Sequence, residues 1–384
     1  MTNDSSFASL GLSAPLLKAI DLQHYTEAYP IQAEVIPAAL AGKDILGIAQ
    51  TGSGKTASFV LPILELLTKT PAAKSRYIKA LVLVPTRELA AQVGEVFQQL
   101  GSKLPQKIKT LAVFGGVSIN PQMMALHGVE ILIATPGRLL DLIDSKAVHL
   151  SEVKILVLDE ADKMLNLGFK EEMTKLFALL PAKRQNMLFS ATLGKEIDSI
   201  TEFLLQNPVR IEIKGETFSI DSIDQSAYLV AEERKSPLLR YLIKKQEMKQ
   251  VLVFTSSVHK ADSVVKKLNA NGIQAVALHS EKSQGARTEA LRSFKAGKLR
   301  VLVATDLASR GIDIQSLPFV INYELPRSPK DYIHRIGRTG RAASVGIAIS
   351  LISPASEHHF KVIQKKMGKQ IVMHQTDDLD LKGF

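Results

Sequence analysis

Short, nearly continuous apolar runs, separated by amphipathic stretches, dominate this chain. In its first half the runs fall at residues 45–48, 80–84, 110–114, 131–134, 155–158 and 187–189. None alternates apolar with polar positions, the pattern of a strand with one wet face. Each is nearly continuously apolar, as expected for parallel strands covered by helices on both sides. Intervening stretches such as 87–100 and 170–180 carry helical apolar spacing and suit βαβ crossovers. The chain up to about residue 40 reads as helices, with Ser13 in a capping position, Pro15 in the turn that follows, and Pro30 and Pro37 as punctuation.

Residues 207–224 break the rhythm with Pro208, Gly215 and a mixed polar stretch, which marks a junction between domains. A second series of runs follows at 225–230, 251–254, 274–278, 301–304, 319–323 and 345–351, with helical spacers such as 259–269 between them. The tail, 355–384, reads as one helix to about Gly368 and a short end. The pattern predicts an α/β chain of two parallel-sheet domains. Residues 1–33 form a region that packs on the first domain, 34–213 the first domain, 214–224 the linker and 225–384 the second domain.

Composition narrows the chemistry. A chain of 384 residues is long enough for two ordinary cores. It has no Cys, which excludes disulfides, thiolate metal sites and Cys nucleophiles. The nine His show no metal-ligand spacing. Met1 to Phe7 lacks the basic and apolar regions of a signal peptide, and no apolar run nears the roughly 20 residues of a membrane span. The expectation is a soluble cytoplasmic protein with no membrane partner. The net charge of +10 is uneven: residues 1–210 hold 21 Lys and Arg against 20 Asp and Glu, and the remainder 27 against 18. A basic second half suits a polyanion such as nucleic acid, although a basic soluble domain has the same composition.

The run at 45–48 leads into Ala49-Gln50-Thr51-Gly52-Ser53-Gly54-Lys55-Thr56, which opens an apolar helical stretch. Strand, glycine loop and helix in that order form a phosphate cradle. Gly52 and Gly54 let backbone N–H groups converge on an anion, and the helix adds its positive end. Lys55 would reach the outer phosphates and Thr56 would place its hydroxyl on Mg²⁺. Ala49 stands where the usual pattern has Gly. A plain Gly-Ser turn before a helix is the blander reading, and the strand–loop–helix context weighs against it.

The run at 155–158 ends in Asp159-Glu160-Ala161-Asp162, so carboxylates emerge at the carboxyl edge of the sheet, where open α/β sheets bind ligands. Asp159 is placed to hold Mg²⁺ directly or through water, and Glu160 to orient or deprotonate an attacking water. With these residues the chain resembles the DEAD-box ATP-dependent RNA helicases, from about Phe7 to the mid-350s. The resemblance implies two tandem RecA-like domains.

It also implies roles for other residues. His24 to Gln32 is similar to the family's adenine-reading Q motif, with Phe7 seventeen residues ahead of its first position as the stacking aromatic. His24 and Ala28 depart from the usual Gly and Pro, while Gln32 is kept. The amide of Gln32 can donate and accept at once, which matches the paired edge of adenine. Thr86 and Arg87, Gly115 and Gly116, and Thr135 and Arg138 resemble loops that grip RNA phosphates; taken singly, each is as well explained as a βα turn with a helix cap. Ser190 and Thr192 would couple nucleotide state to RNA work through Asp162. In the second domain the resemblance places Thr305, Gln284 and Arg287 on RNA, Asp313 on the ATP ribose, and Arg310, His334 and Arg335 among the coupling residues. Arg338 and Arg341 would be fingers on the γ-phosphate. Arg335, Arg338 and Arg341 would share one helical face if helical, and Gly337 and Gly340 argue that part of the segment is a tight loop.

The expected function is ATP-dependent RNA helicase, with ATP and Mg²⁺ as cofactors. Closure of two domains over ATP would bend bound RNA and separate short duplexes. RNA would be held by its backbone with little sequence specificity, by a monomer serving ribosomal or degradation complexes. An ATP-timed RNA clamp or annealing factor is the main alternative. A DNA translocase fits the acidic motif and Gln32 less well, and a P-loop kinase leaves the second domain unexplained.

Overall fold

The structure, a computed structural model, describes residues 6–50, 52–70, 76–213, 222–306, 317–340 and 346–384. Thr51, Arg310, Asp313, Arg341 and residues 214–221 of the expected linker lie outside the described residues. The chain divides into two compact units, Met1–Glu216 and Thr217–Phe384.

The first unit holds a seven-stranded sheet of β1 (Ile45–Ile48), β2 (Ala80–Leu83), β3 (Thr110–Val113), β4 (Ile131–Ala134), β5 (Ile155–Leu158), β6 (Gln185–Ser190) and β7 (Val209–Glu212), in the order β3-β4-β2-β5-β6-β1-β7. Every pairing is parallel. Alternate side chains feed two cores. Ile45, Val82, Ile133, Val157 and Phe189 join the helices Pro30–Leu40, Lys55–Thr68 and Arg87–Gly101 on one face. Leu46, Leu83, Leu132, Leu158 and Leu188 pack on the other. Burial on both faces explains why these runs carry no polar positions.

The N-terminal segment belongs to the first core, where Phe7, Leu10, Leu16, Ile20 and Ile31 are all buried. Its helix Ala14–Leu22 is tied to the phosphate-loop helix, because the Ser13 N–H donates to the buried Glu65 carboxylate at 2.9 Å. Burial opposes ionisation of Glu65, but that hydrogen bond and the Lys69 ammonium outweigh it and hold the carboxyl below its ordinary value.

The second unit repeats the plan with β8 (Ile223–Leu229), β9 (Val251–Thr255), β10 (Ala275–Leu278), β11 (Val301–Thr305), β12 (Phe319–Asn322), β13 (Gly346–Ile352) and β14 (Val372–Gln375), in the order β10-β11-β9-β12-β13-β8-β14. Its pairings are parallel as well. Adding seven to each strand number of the first sheet reproduces the second. The expected tandem RecA-like architecture is therefore present as two copies of one topology.

Two expectations need correction. Residues 207–224 are not wholly a junction: Val209–Glu212 is β7, paired with β1, and β8 begins at Ile223. The end of the chain is not featureless, because Val372–Gln375 adds β14 to the edge of β8. Both strands lie at sheet edges and are largely exposed, so they carry polar residues and no apolar run. The arginine segment divides as its glycines suggest: it is helical over Pro329–Ile336, Gly337 ends that helix, and Arg338 lies in the turn beyond it.

Candidate functional site

A parallel sheet brings the carboxyl ends of all its strands to one edge. In the first unit, the residues singled out by motif occupy that edge. The phosphate loop follows β1, Thr86 follows β2, Gly115 follows β3, Thr135 follows β4, Asp159 follows β5, and β6 ends on Ser190. Strand β6 lies between β1 and β5, so the loop and the acidic cluster flank it.

Gly52 and Gly54 adopt φ of 84° and 88°, a conformation that costs an L side chain about 1–2 kcal/mol. Gly54 is also crowded: a Cβ there would sit 2.6 Å from Nε2 of Gln32 and 3.0 Å from Cδ2 of Tyr29. Gln32 is buried, accepts from the Tyr29 N–H at 2.9 Å and donates to the Gly54 carbonyl at 3.1 Å. The expected adenine reader is thus fastened to the phosphate loop, and its second amide hydrogen and second lone pair remain for a base edge. Phe7 is 5% exposed and stacks on Tyr25, with centroids 6.4 Å apart. Tyr29 is 56% exposed. Gln50 is exposed and its carbonyl accepts from the Ser53 hydroxyl at 2.8 Å, which closes the loop on itself.

Lys55 is 6% exposed and donates to the Ala49 carbonyl at 2.6 Å. Burial pulls its ammonium below the ordinary value, while the carboxylates of Asp159, Glu160 and Asp162 act the other way. Burial also pushes Asp159 up to about 6, against the pull of Lys55. Asp159 Oδ1 and Glu160 Oε2 are buried without a hydrogen-bond partner. Glu160 caps the helix Ala161–Asn166 at φ 54°, and its Oε1 takes the Lys163 ammonium at 2.6 Å. Orphaned carboxylate oxygens beside a buried ammonium suit phosphates and a hard cation.

No group of three or more His, Asp or Glu that could hold a metal by themselves occurs among the described residues. Mg²⁺ bound together with phosphates needs only one or two protein oxygens, so Asp159 and the half-buried Thr56 fit that demand. Ser190 and Thr192 meet the same cluster: the Thr192 hydroxyl donates to Asp162 Oδ2 at 3.0 Å, and the Ser190 hydroxyl to the Thr192 carbonyl at 2.7 Å.

The expected phosphate-gripping loops are built differently from one another. Thr86 caps its helix by accepting from the Leu89 N–H. Arg87 is half-buried with its guanidinium against Gly116, where a Cβ would come within 2.9 Å of Nη1. Gly115 has open space on that side. Arg138 is only 7% exposed; it donates to the Val117 carbonyl at 2.8 Å and pairs with Asp141 at 3.3 Å. It braces the loop from behind. Thr135 is buried at the start of the helix Pro136–Asp144.

In the second unit, Thr305 ends β11 and Gln284 and Arg287 open the helix Gln284–Lys295, with Gln284 Oε1 buried and unpartnered and Arg287 3% exposed. Arg335 is the hub. It binds both oxygens of Asp306 at 2.5 and 2.7 Å, Asn322 Oδ1 at 3.0 Å and the Glu324 carbonyl at 2.6 Å, and its guanidinium lies 4.9 Å from the centroid of Phe254. His334 beside it is exposed and Arg338 half-buried. The carbonyl of Arg338 accepts from the Leu317 N–H, so the arginine sits in a turn pinned to the neighbouring segment.

Sequence reasoning missed Lys163, Tyr29, Asp306 and Asn322. Lys163 follows Glu160 at a helical spacing of three, a readable signal. Asp306 lies within the motif that follows β11, but its pairing with Arg335 is not local, and nothing local announces Asn322.

Residues 29–200 match the DEAD/DEAH box helicase family, and residues 234–343 match the helicase conserved C-terminal domain. The chain is 40% identical to the DEAD-box ATP-dependent RNA helicase CshA of Bacillus cereus over 98% of its own length and 71% of that protein. It is 38% identical to the Bacillus subtilis protein of the same name, covering 98% of this chain and 75% of that one. Among solved structures, Saccharomyces cerevisiae Dbp5 bound to RNA and ADP BeF3 superposes with a TM-score of 0.79 at 30% identity, covering 97% of this chain and 96% of that one. A DEAD box protein from the hyperthermophile Methanococcus jannaschii is 37% identical, with a TM-score of 0.53 and coverage of 96% and 98%.

Proposed function

The chain belongs to the DEAD/DEAH box helicase family, and from that premise we propose that it is an ATP-dependent RNA helicase whose ATP hydrolysis drives local unwinding or remodelling of short duplexes. The observation that carries the reading is the carboxyl edge of the first sheet. There a buried lysine, two orphaned carboxylate oxygens and the Asp162–Thr192 hydrogen bond meet beside a glycine loop.

Phosphates enter the loop and draw Lys55 away from the Ala49 carbonyl, which replaces a neutral acceptor with charge. Asp159 and Thr56 would hold Mg²⁺, which would supply charge neutralisation at the phosphates. Glu160 orients the attacking water through the oxygen that Lys163 leaves open. Arg338 and Arg341 stabilise the transferring phosphoryl group from the second domain, so turnover requires closure. Asp313 takes the ribose, and Phe7 and Gln32 the adenine. Ser190, Thr192 and Asp162 carry the nucleotide state toward the RNA loops, with His334, Arg335 and Arg310 serving the same coupling in the second domain. Thr86, Arg87, Gly115, Gly116, Thr135, Arg138, Gln284, Arg287 and Thr305 line or brace an RNA groove that reads backbone and not sequence.

No helix among the described residues is long and apolar enough to cross a membrane. We place the protein in the cytoplasm as a monomer acting on RNA in ribosomal or degradation complexes, with its second domain beginning at β8, by Ile223.

Glu160→Gln tests the chemistry. It should keep ATP and RNA binding and lower RNA-stimulated phosphate release by about a hundredfold or more, the scale of a missing general base. Undiminished release would sink the assignment. An annealing assay run beside the unwinding assay separates helicase from clamp.

A further inference from the structure

The amino edge of the second sheet carries an open basin of about 560 Å³, lined by Lys244, Glu247, Lys249, Gln274, Gly297, Lys298 and Arg300. Three loops build it. Lys249 lies just before β9, Gln274 just before β10, and Lys298 and Arg300 just before β11, and the three strands are neighbours in the sheet. The described RNA-facing motif residues of this unit, Gln284, Arg287 and Thr305, lie at or beyond the carboxyl ends of β10 and β11, so the basin is one strand length from them, roughly 15 Å at about 3.3 Å per residue; Arg338, bonded to Leu317 just before β12, is on the basin's side of the sheet.

Four cations face one carboxylate here, and among the described residues Lys244, Lys249 and Lys298 form no ion pair. Helix dipoles account for part of the charge: Lys244 and Lys245 end the helix Lys235–Lys245 and meet its negative pole, and the Lys244 ammonium also lies 5.6 Å from the centroid of Phe384. Neither effect accounts for Lys249, Lys298 or Arg300, which lie past the helix ends. Arg300 is fixed in place, donating through Nε to the Met248 carbonyl at 2.6 Å and through Nη2 to the Ile243 carbonyl at 3.1 Å. Its Nη1 and the exposed lysines are left to a ligand. The cations outnumber the nearby acids, Glu247 and the Glu289 carboxylate that Lys298 also attracts, and a polyanion removes the repulsion that remains.

We propose that this basin is a second RNA-backbone site, which holds the strand or duplex arm that runs on beyond the groove formed by the motif loops. The proposal rests on the RNA-helicase reading of the carboxyl edge and deepens it. A surface of exposed lysines around one fixed arginine gives affinity and salt dependence with no sequence preference, and it favours long substrates over short ones.

The test is the triple variant Lys244→Gln, Lys249→Gln, Lys298→Gln, all at exposed positions. Two RNAs are compared with wild type: a short single strand sufficient to stimulate wild-type ATP hydrolysis, and the same strand carrying a long extension. For the extended RNA, affinity should fall about tenfold or more. The slope of log affinity against log salt should become shallower by about 2, at roughly 0.7 for each phosphate that is no longer neutralised. Affinity for the short RNA and the ATPase it stimulates should stay unchanged. Equal binding of the extended RNA by both proteins overturns the proposal, and is the outcome expected if the basin serves an acidic protein. A parallel fall on the short RNA overturns it as well. If wild type shows no RNA-stimulated hydrolysis, the underlying helicase reading fails instead.

Discussion

Arg335 offers the most severe test of how the second unit is held together. The family resemblance makes it a coupling residue, yet its side chain is only 2% exposed and all three guanidinium nitrogens are engaged within the unit. Arg335→Ala would strip the bidentate partner from Asp306, leave the buried amide of Asn322 short of a donor, and remove the cation over Phe254. Breaking a buried ion pair costs about 3–5 kcal/mol. The Asp306 side chain is 31% exposed, so water recovers part of that cost and the low end applies. The orphaned Asn322 adds about 1 kcal/mol. A total near 4 kcal/mol lowers melting of a unit this size by roughly 8–16 °C.

Hydrogen–deuterium exchange reads this locally. Peptides covering β11, β12 and β13 should lose protection, while peptides covering β1 and β5 serve as an unchanged reference. Arg335→Lys keeps the charge but not the fork, and should recover less than half of the loss. If Arg335→Ala melts within about 2 °C of wild type yet loses RNA-stimulated hydrolysis, the arginine acts on a ligand and the bracing argument is wrong.

Two further outcomes follow from single distances. Gly54→Ala combines a left-handed φ of 88° with a Cβ 2.6 Å from Gln32 Nε2, so nucleotide affinity should fall at least about tenfold in a fluorescent-analogue titration; unchanged affinity would mean that the loop relaxes freely. Thr192→Val keeps the shape and removes the donor to Asp162, worth about 1.5–3 kcal/mol for a bond to a charged group. Unwinding per ATP hydrolysed should drop about tenfold while basal hydrolysis stays within a few-fold, and loss of both in proportion would contradict a coupling role.

The apolar runs and the order of the motifs were legible because each is a local fact. A strand buried on both faces is almost wholly apolar, which announced the central strands; β8, half-exposed and carrying Asp224, Gln225 and Ser226, is the exception. A glycine loop with Lys and Thr between strand and helix points to a phosphate site through residues adjacent in sequence. The edge strands β7 and β14 escaped notice because one side of each meets solvent, and Arg210, Glu212, His374 and Gln375 are tolerated there.

The partners of the polar side chains were not legible. Arg335 looks like one of three arginines offered to a polyanion, and only the packing of β11 and β12 against its helix makes it a buried brace. Arg138 looks like a phosphate ligand, and the Val117 carbonyl, twenty-one residues away, turns it into a support for the loop. The basic basin draws on three loops spread between Lys244 and Arg300, and none of them is unusual by itself. The sequence by itself determined the two-sheet architecture, the phosphate loop and the acidic cluster, since hydrophobic burial and backbone geometry act over a few neighbouring residues. Only the tertiary structure decided which charges are spent on the protein and which are left for a ligand, because a hydrogen bond is settled by whatever segment the fold brings within about 3 Å.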